Sequence, residues 1–371
     1  MKKTMKVLFL LLGALVGVAL GVLLVAMLNR IPDLSDGAEL ALYLLALVML
    51  YVFSFAEIIL HEAGHLIFGL MTGWRFVSFR VANIIWLRGE DGRIRRGKYS
   101  LAGTGGQCLL APPPWREEGF PCALYNMGGV IVNLLTAAVC GLLAWALWSH
   151  PLAALLLMEA ALVGLIMALT NGIPLPGLAV SNDGSNMLSV LKSRDARRAL
   201  WLQMSVAAAQ AQGKQLKDMP GEWFEPFPEE AMDNPLVAAV AVFAANRLLN
   251  ALDLPGAEAA IRALLHREKG VLPLYRALLT VDGAYCELAG GHPGDLTEAL
   301  DQPSVRQIMK AMRRHPSILR TQYAEALLRR HDAALADESM AAFEEAAKDY
   351  PYPQEIENER ELIALAKEAA A

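Results

Sequence analysis

His61-Glu62-Ala63-Gly64-His65 sets two imidazoles four residues apart with a carboxylate between them. On a helix, positions four apart share one face, so both rings can reach a single zinc ion while Glu62 reaches the water to be activated. That is the chemistry of zinc-assisted hydrolysis. The motif lies inside an apolar run from about Glu39 to Met71, where three ionisable groups are costly unless partnered. A functional site is therefore favoured over a chance match. Glu57, one turn before His61, shares its face and reads either as a residue that orients it or as an unrelated polar contact.

A catalytic zinc takes three protein ligands and keeps one position open, so a third donor must come from elsewhere in the chain. The apolar run 152–170 ends in Asn171-Gly172-Ile173-Pro174-Leu175-Pro176-Gly177, followed by Ser181-Asn182-Asp183-Gly184. Irregular backbone at membrane depth is tolerated where it lines a cavity, which makes Asp183 the candidate third ligand. Glu159, the other carboxylate in this region, falls in the outer half of the span.

These residues need membrane helices to position them. The chain has 371 residues, 55% of them apolar, and nearly all of its long uncharged runs precede Gly184. Spans are expected at about 7–28, 39–71, 122–149 and 152–170. The first is too long for the apolar core of a cleavable signal, and the lysines before it place the N-terminus in the cytoplasm. The second then runs inward and puts the histidines in the cytoplasmic half. As one helix, 39–71 would be roughly 50 Å long against a hydrocarbon core of about 30 Å, so it must tilt, break or protrude. In the third span, Asn133 lies about 11 residues from the cytoplasmic end, or roughly 16 Å deep. It reads either as an interhelical hydrogen-bonding residue or as a site residue at the histidines' depth.

Trp74 to Tyr99 is rich in β-branched and aromatic residues around the turn Glu90-Asp91-Gly92, which predicts a β-hairpin. Its arginines mark it as cytoplasmic. It is either an ordinary charged loop or a strand edge able to pair with an extended peptide. Gly103-Thr104-Gly105-Gly106 reads as a flexible loop or gate. Beyond Asn186 regular charges return, and successive helical hairpins resemble degenerate tetratricopeptide-type repeats, read either as a surface that binds or scaffolds proteins or as a plain helical cap. The fold class expected is mainly α: about four membrane spans with a short β-hairpin in 1–186, a helical linker over 187–233, and a soluble all-α tetratricopeptide-like domain over 234–371.

A net charge of −5 gives no footprint for nucleic acid, and the four cysteines have no metal or disulfide spacing. The partners expected are the lipid bilayer, a membrane-protein substrate and a protein partner of the helical domain. The setting expected is a bacterial cell membrane with both termini cytoplasmic.

Ala38 to Asn186 resembles the site-2 protease family of intramembrane zinc metalloproteases. HExxH inside a span carries the likeness most strongly. Gly129-Val130-Ile131-Val132-Asn133 is similar to the family's Gly-Pro-x-x-Asn, with Val130 in place of Pro. Asn171, Pro174, Asp183 and Gly184 match its Asn-Pro-x-Pro and Leu-Asp-Gly elements, with Gly172 replacing the first Pro and Asp183 four residues later than usual. The resemblance implies zinc held by His61, His65 and Asp183, Glu62 as the acid–base residue, and Asn133 beside the substrate or the developing oxyanion. The activity implied is cleavage of a peptide bond in or near a transmembrane segment. Two alternatives stand beside it. One is a catalytically inactive membrane scaffold acting through its helical repeats. The other is a zinc protease whose third ligand is a distal glutamate, for which Glu345-Ala346-Ala347-Lys348-Asp349 offers a superficial match.

Overall fold

A computed structural model describes residues 35–116, 119–175, 178 and 180–370, with short pieces at 17–18, 21–22, 25–26 and 29–31. The expected first span, 7–28, lies largely outside the described residues. The chain divides into two compact units. One comprises Met1–Thr72, Cys122–Leu178 and Asn182–Met187. The other comprises Gly73–Pro121, Ala179–Ser181 and Leu188–Ala371.

Among the described residues, the first unit holds three apolar helices long enough to cross a membrane: α1 (Asp36–Met71), α2 (Ala123–Ala146) and α3 (Pro151–Gly172). Ser35 caps α1, with its hydroxyl accepting from Ala38 N, and Asp36 and Glu39 place negative charge at the positive end of the helix dipole. The helix then runs 36 residues without a break, which removes the broken-helix option. Its burial is inverted relative to a helix of a water-soluble protein. The buried positions are Glu57, His61, Glu62, Gly64, His65 and Gly69, while Leu40, Leu44, Leu47, Val48 and Tyr51 are exposed. Such a surface is costly in water and neutral in lipid.

The second unit begins with a sheet larger than the expected hairpin. Strands β1 (Arg75–Val81), β2 (Ile84–Arg88), β3 (Ile94–Lys98) and β4 (Gly106–Ala111) form an antiparallel sheet in the order β3-β2-β1-β4. The hairpin reading merged β1 with β2, because the reversal at Ala82-Asn83 lacks glycine and proline. Ala82 there adopts φ +52°, a conformation uncommon for a residue with a Cβ. The glycine-rich segment expected as a flexible gate is also pinned. The buried Arg80 guanidinium donates to Ala82 O at 2.6 Å, to Gly106 O at 3.0 Å and to Thr104 Oγ1.

After α4 (Asp183–Lys192), a run of helices follows: α5 (Arg194–Ala211), α6 (Pro235–Asn250), α7 (Leu254–His266), α8 (Pro273–Ala289), α9 (Asp295–Ala299), α10 (Pro303–Ala311), α11 (Pro316–Ala324), α12 (Ala333–Ala347) and α13 (Pro353–Ala369). Pro235, Pro255, Pro273, Pro303, Pro316 and Pro353 sit in the first positions of their helices, where a missing N–H costs nothing. The 187–233 linker contains α5 and three 3₁₀ turns.

Charge is buried among these helices. Arg320, 1% exposed, bridges Asp282 at 2.5 Å and Glu359 at 3.0 Å. Glu355 has no such cation, and its oxygens accept from Gln210 Nε2 at 2.9 Å and Tyr350 Oη at 2.8 Å. Burial pushes its carboxyl from an ordinary 4.5 up to about 7, with the Tyr350 hydroxyl opposing and Glu359 adding. The folded state then binds this proton more tightly than the unfolded chain, so stability is lost as pH rises towards 7. His315, pushed down to about 4 by burial, acts in the opposite sense, but only below the unfolded imidazole value of about 6.5. Burial pushes the Glu359 carboxyl up to about 7 as well, so the melting temperature of this unit is expected to fall as pH rises from about 5 to about 7.5, and Glu355→Gln to reduce that slope without abolishing it, both read by circular dichroism.

Candidate metal centre

The centre is assembled where α1 and α2 touch backbone to backbone. A Cβ on Gly64 would collide with Gly128 O, and one on Gly128 would lie 2.5 Å from Gly64 O. Any side chain at either position would force the helices apart. At the next residue a Cβ on Gly129 would fall 2.5 Å from the His61 ring, so the imidazole occupies the space this glycine leaves. Gly164 brings α3 in similarly, since a Cβ there would stand 3.1 Å from Asn133 O and 3.3 Å from Glu57 Oε1.

Both imidazoles are oriented through Nδ1. His61 Nδ1 meets Asn133 Oδ1 at 2.6 Å, and His65 Nδ1 meets the carbonyl of Tyr125 at 2.7 Å. Asn133 is fully buried, and its Nδ2 donates to Glu57 Oε2 at 2.5 Å and Glu57 O at 3.2 Å. With its amide nitrogen spent on Glu57, Asn133 presents oxygen to His61. Oxygen acceptors therefore face both Nδ1 atoms, which must carry hydrogen. Nε2 of each neutral ring is left as a lone pair, and the two point at each other across 3.2 Å.

Asp183 closes the third side. A span ending at Gly172 must fold back to return a carboxylate to this depth, and Asn182 holds the fold. Its Nδ2 donates to Thr170 O at 2.8 Å and Ile173 O at 2.6 Å, and its Oδ1 accepts from Ser185 N at 3.0 Å in the first turn of α4. Gly184 packs so closely on the end of α3 that a Cβ would overlap Gly172 O. Asp183 Oδ2 thereby stands 3.0 Å from His61 Nε2 and 3.4 Å from His65 Nε2.

His61, His65 and Asp183 form a cluster able in principle to hold a metal ion. With neutral rings, three electron-pair donors converge on one point, a set of lone pairs that a divalent cation would satisfy. Zinc with tetrahedral bonds of about 2.0–2.1 Å separates its ligand atoms by about 3.4 Å. The observed separations of 3.0, 3.2 and 3.4 Å fit that edge.

Glu62 is buried beside His61 on α1. Glu159, the alternative ligand, is buried on α3 but is not part of the cluster. Glu345 and Asp349 are engaged instead with Lys348 and Lys98 in exposed ion pairs. Sequence reasoning left Glu57 open and missed Asn182, whose only local signal is an Asn three residues before Ser185 at a helix start. No protein-family model, curated protein or solved structure matches the chain.

If the cluster holds a metal ion, Asp183→Ala is expected to lower the metal content of the purified protein by metal analysis, since two imidazoles alone leave a cation under-coordinated. Asn133→Leu keeps all three candidate ligands but frees the His61 ring, and should weaken metal binding roughly 10- to 100-fold in a competitive chelator titration.

Proposed function

We propose that the chain is an intramembrane zinc metalloprotease that hydrolyses a peptide bond in or near a transmembrane segment of a membrane-anchored substrate. The observation that carries this reading is the convergence of His61, His65 and Asp183 on one point, within helices whose outer surfaces are apolar. The HExxH spacing adds a carboxylate, Glu62, on the helix that supplies two of the three donors.

In this mechanism His61, His65 and Asp183 hold the metal, and Asn133 and Glu57 fix the His61 ring. Zinc bound there lowers the pKa of a water and polarises the scissile carbonyl. Glu62 accepts the proton of the attacking water and passes it to the leaving amine. Asn133 acts through His61 as a positioning residue, because both ends of its carboxamide are already engaged. A helical substrate hides its amides in internal hydrogen bonds and must unwind before attack. The helical run after α4 serves as a tetratricopeptide-like platform for a protein partner.

Glu62→Gln should retain zinc yet slow cleavage of a reconstituted membrane substrate by on the order of a hundred-fold or more. Undiminished turnover with zinc still bound would remove the protease assignment and leave the scaffold reading in its place.

A further inference from the structure

The second unit encloses a cavity of about 350 Å³ that the metal chemistry does not use. Its wall is drawn from the sheet and from α5, α6, α8, α11 and α13, and its volume falls at the small end of ligand pockets. That is more space than a packing defect leaves.

The wall is rich in acceptors and poor in cations. Asp282, Glu355 and Glu359 line it together with one buried guanidinium, that of Arg320, which is shared between Asp282 and Glu359. The other cation in the lining, Lys214, is exposed. Glu355 is left with a glutamine amide and a tyrosine hydroxyl as its partners, both neutral. Asn246 Oδ1, also in this wall, is buried without a donor. Aromatic rings complete the site: Tyr99, Tyr350 and Tyr352 stand 5.9–6.0 Å apart, centroid to centroid. Carboxylates and tyrosine rings both attract positive charge, and orphaned acceptors require N–H donors. A primary ammonium group supplies the charge and three donors at once.

We propose that this cavity binds a small organic cation bearing a primary ammonium group, with Glu355 as its counter-ion. A bound cation would offset the burial that makes a bare Glu355 carboxylate unfavourable, against the desolvation the cation itself costs. An anionic ligand would meet three carboxylates, and a neutral one would leave Glu355 uncompensated. The site is independent of the metal centre and of the proteolytic reading.

The test uses the full chain in detergent, with 1,4-diaminobutane as probe and 1,4-butanediol and succinate as neutral and anionic controls of the same length. The diamine should raise the melting temperature and bind saturably by calorimetry, while the diol and succinate should do neither. Glu355→Gln should weaken diamine binding roughly ten- to a hundred-fold, the range expected for losing a charge-assisted hydrogen bond. Should that variant not fold, Glu355→Asp keeps the charge and must keep the preference for diamine over diol. Absence of any response to the diamine, an equal response to the diol or succinate, or undiminished binding by Glu355→Gln would overturn the proposal.

Discussion

Three electron-pair donors aimed at one point, with no hydrogen to separate them, form the constraint around which the membrane unit is arranged. Lone pairs so placed repel one another, and the arrangement persists because each donor is held from behind. Asn133 and Glu57 hold one imidazole, the Tyr125 carbonyl holds the other, and Asn182 anchors the bend that delivers Asp183. A cation converts that repulsion into coordination. The supporting hydrogen bonds lie behind the ligands rather than among them, so the site is shaped before anything occupies it.

The inverted burial of α1 follows from the same requirement. Polar groups can sit in a lipid-spanning helix only when they face other protein, and here they face α2 and α3 across glycines. The leucines, valines and aromatics on the remaining surface are the solvent-facing side of a helix whose solvent is hydrocarbon. The helical run of the second unit follows the usual rule, with apolar clusters inside and most ion pairs outside, and departs from it at Arg320, at Glu287 and around Glu355.

Local signals in the sequence were legible and relations across distance were less so. His61, Glu62 and His65 are readable because helical periodicity alone aligns them. Asp183 was within reach because the proline- and glycine-rich stretch before it forbids a continued helix, though its return to the histidines depends on Asn182 bonds to carbonyls nine and twelve residues back. The spans at α2 and α3 follow from apolar length. The sheet was only half legible: β1 and β2 reverse at a pair of residues with no turn chemistry, and β4 pairs with β1 across more than twenty residues.

Gly64 and Gly128 give the membrane unit an asymmetric response to change. Their backbones already touch, so no replacement can shrink the gap, and every one of the other nineteen amino acids enlarges it. Sequence drift at these two sites has only one direction, outward, and the separation of the helices is fixed at its floor by carbonyl and α-carbon rather than by any rotamer. The pocket's dimensions are thereby insulated from the slack that side-chain packing elsewhere permits.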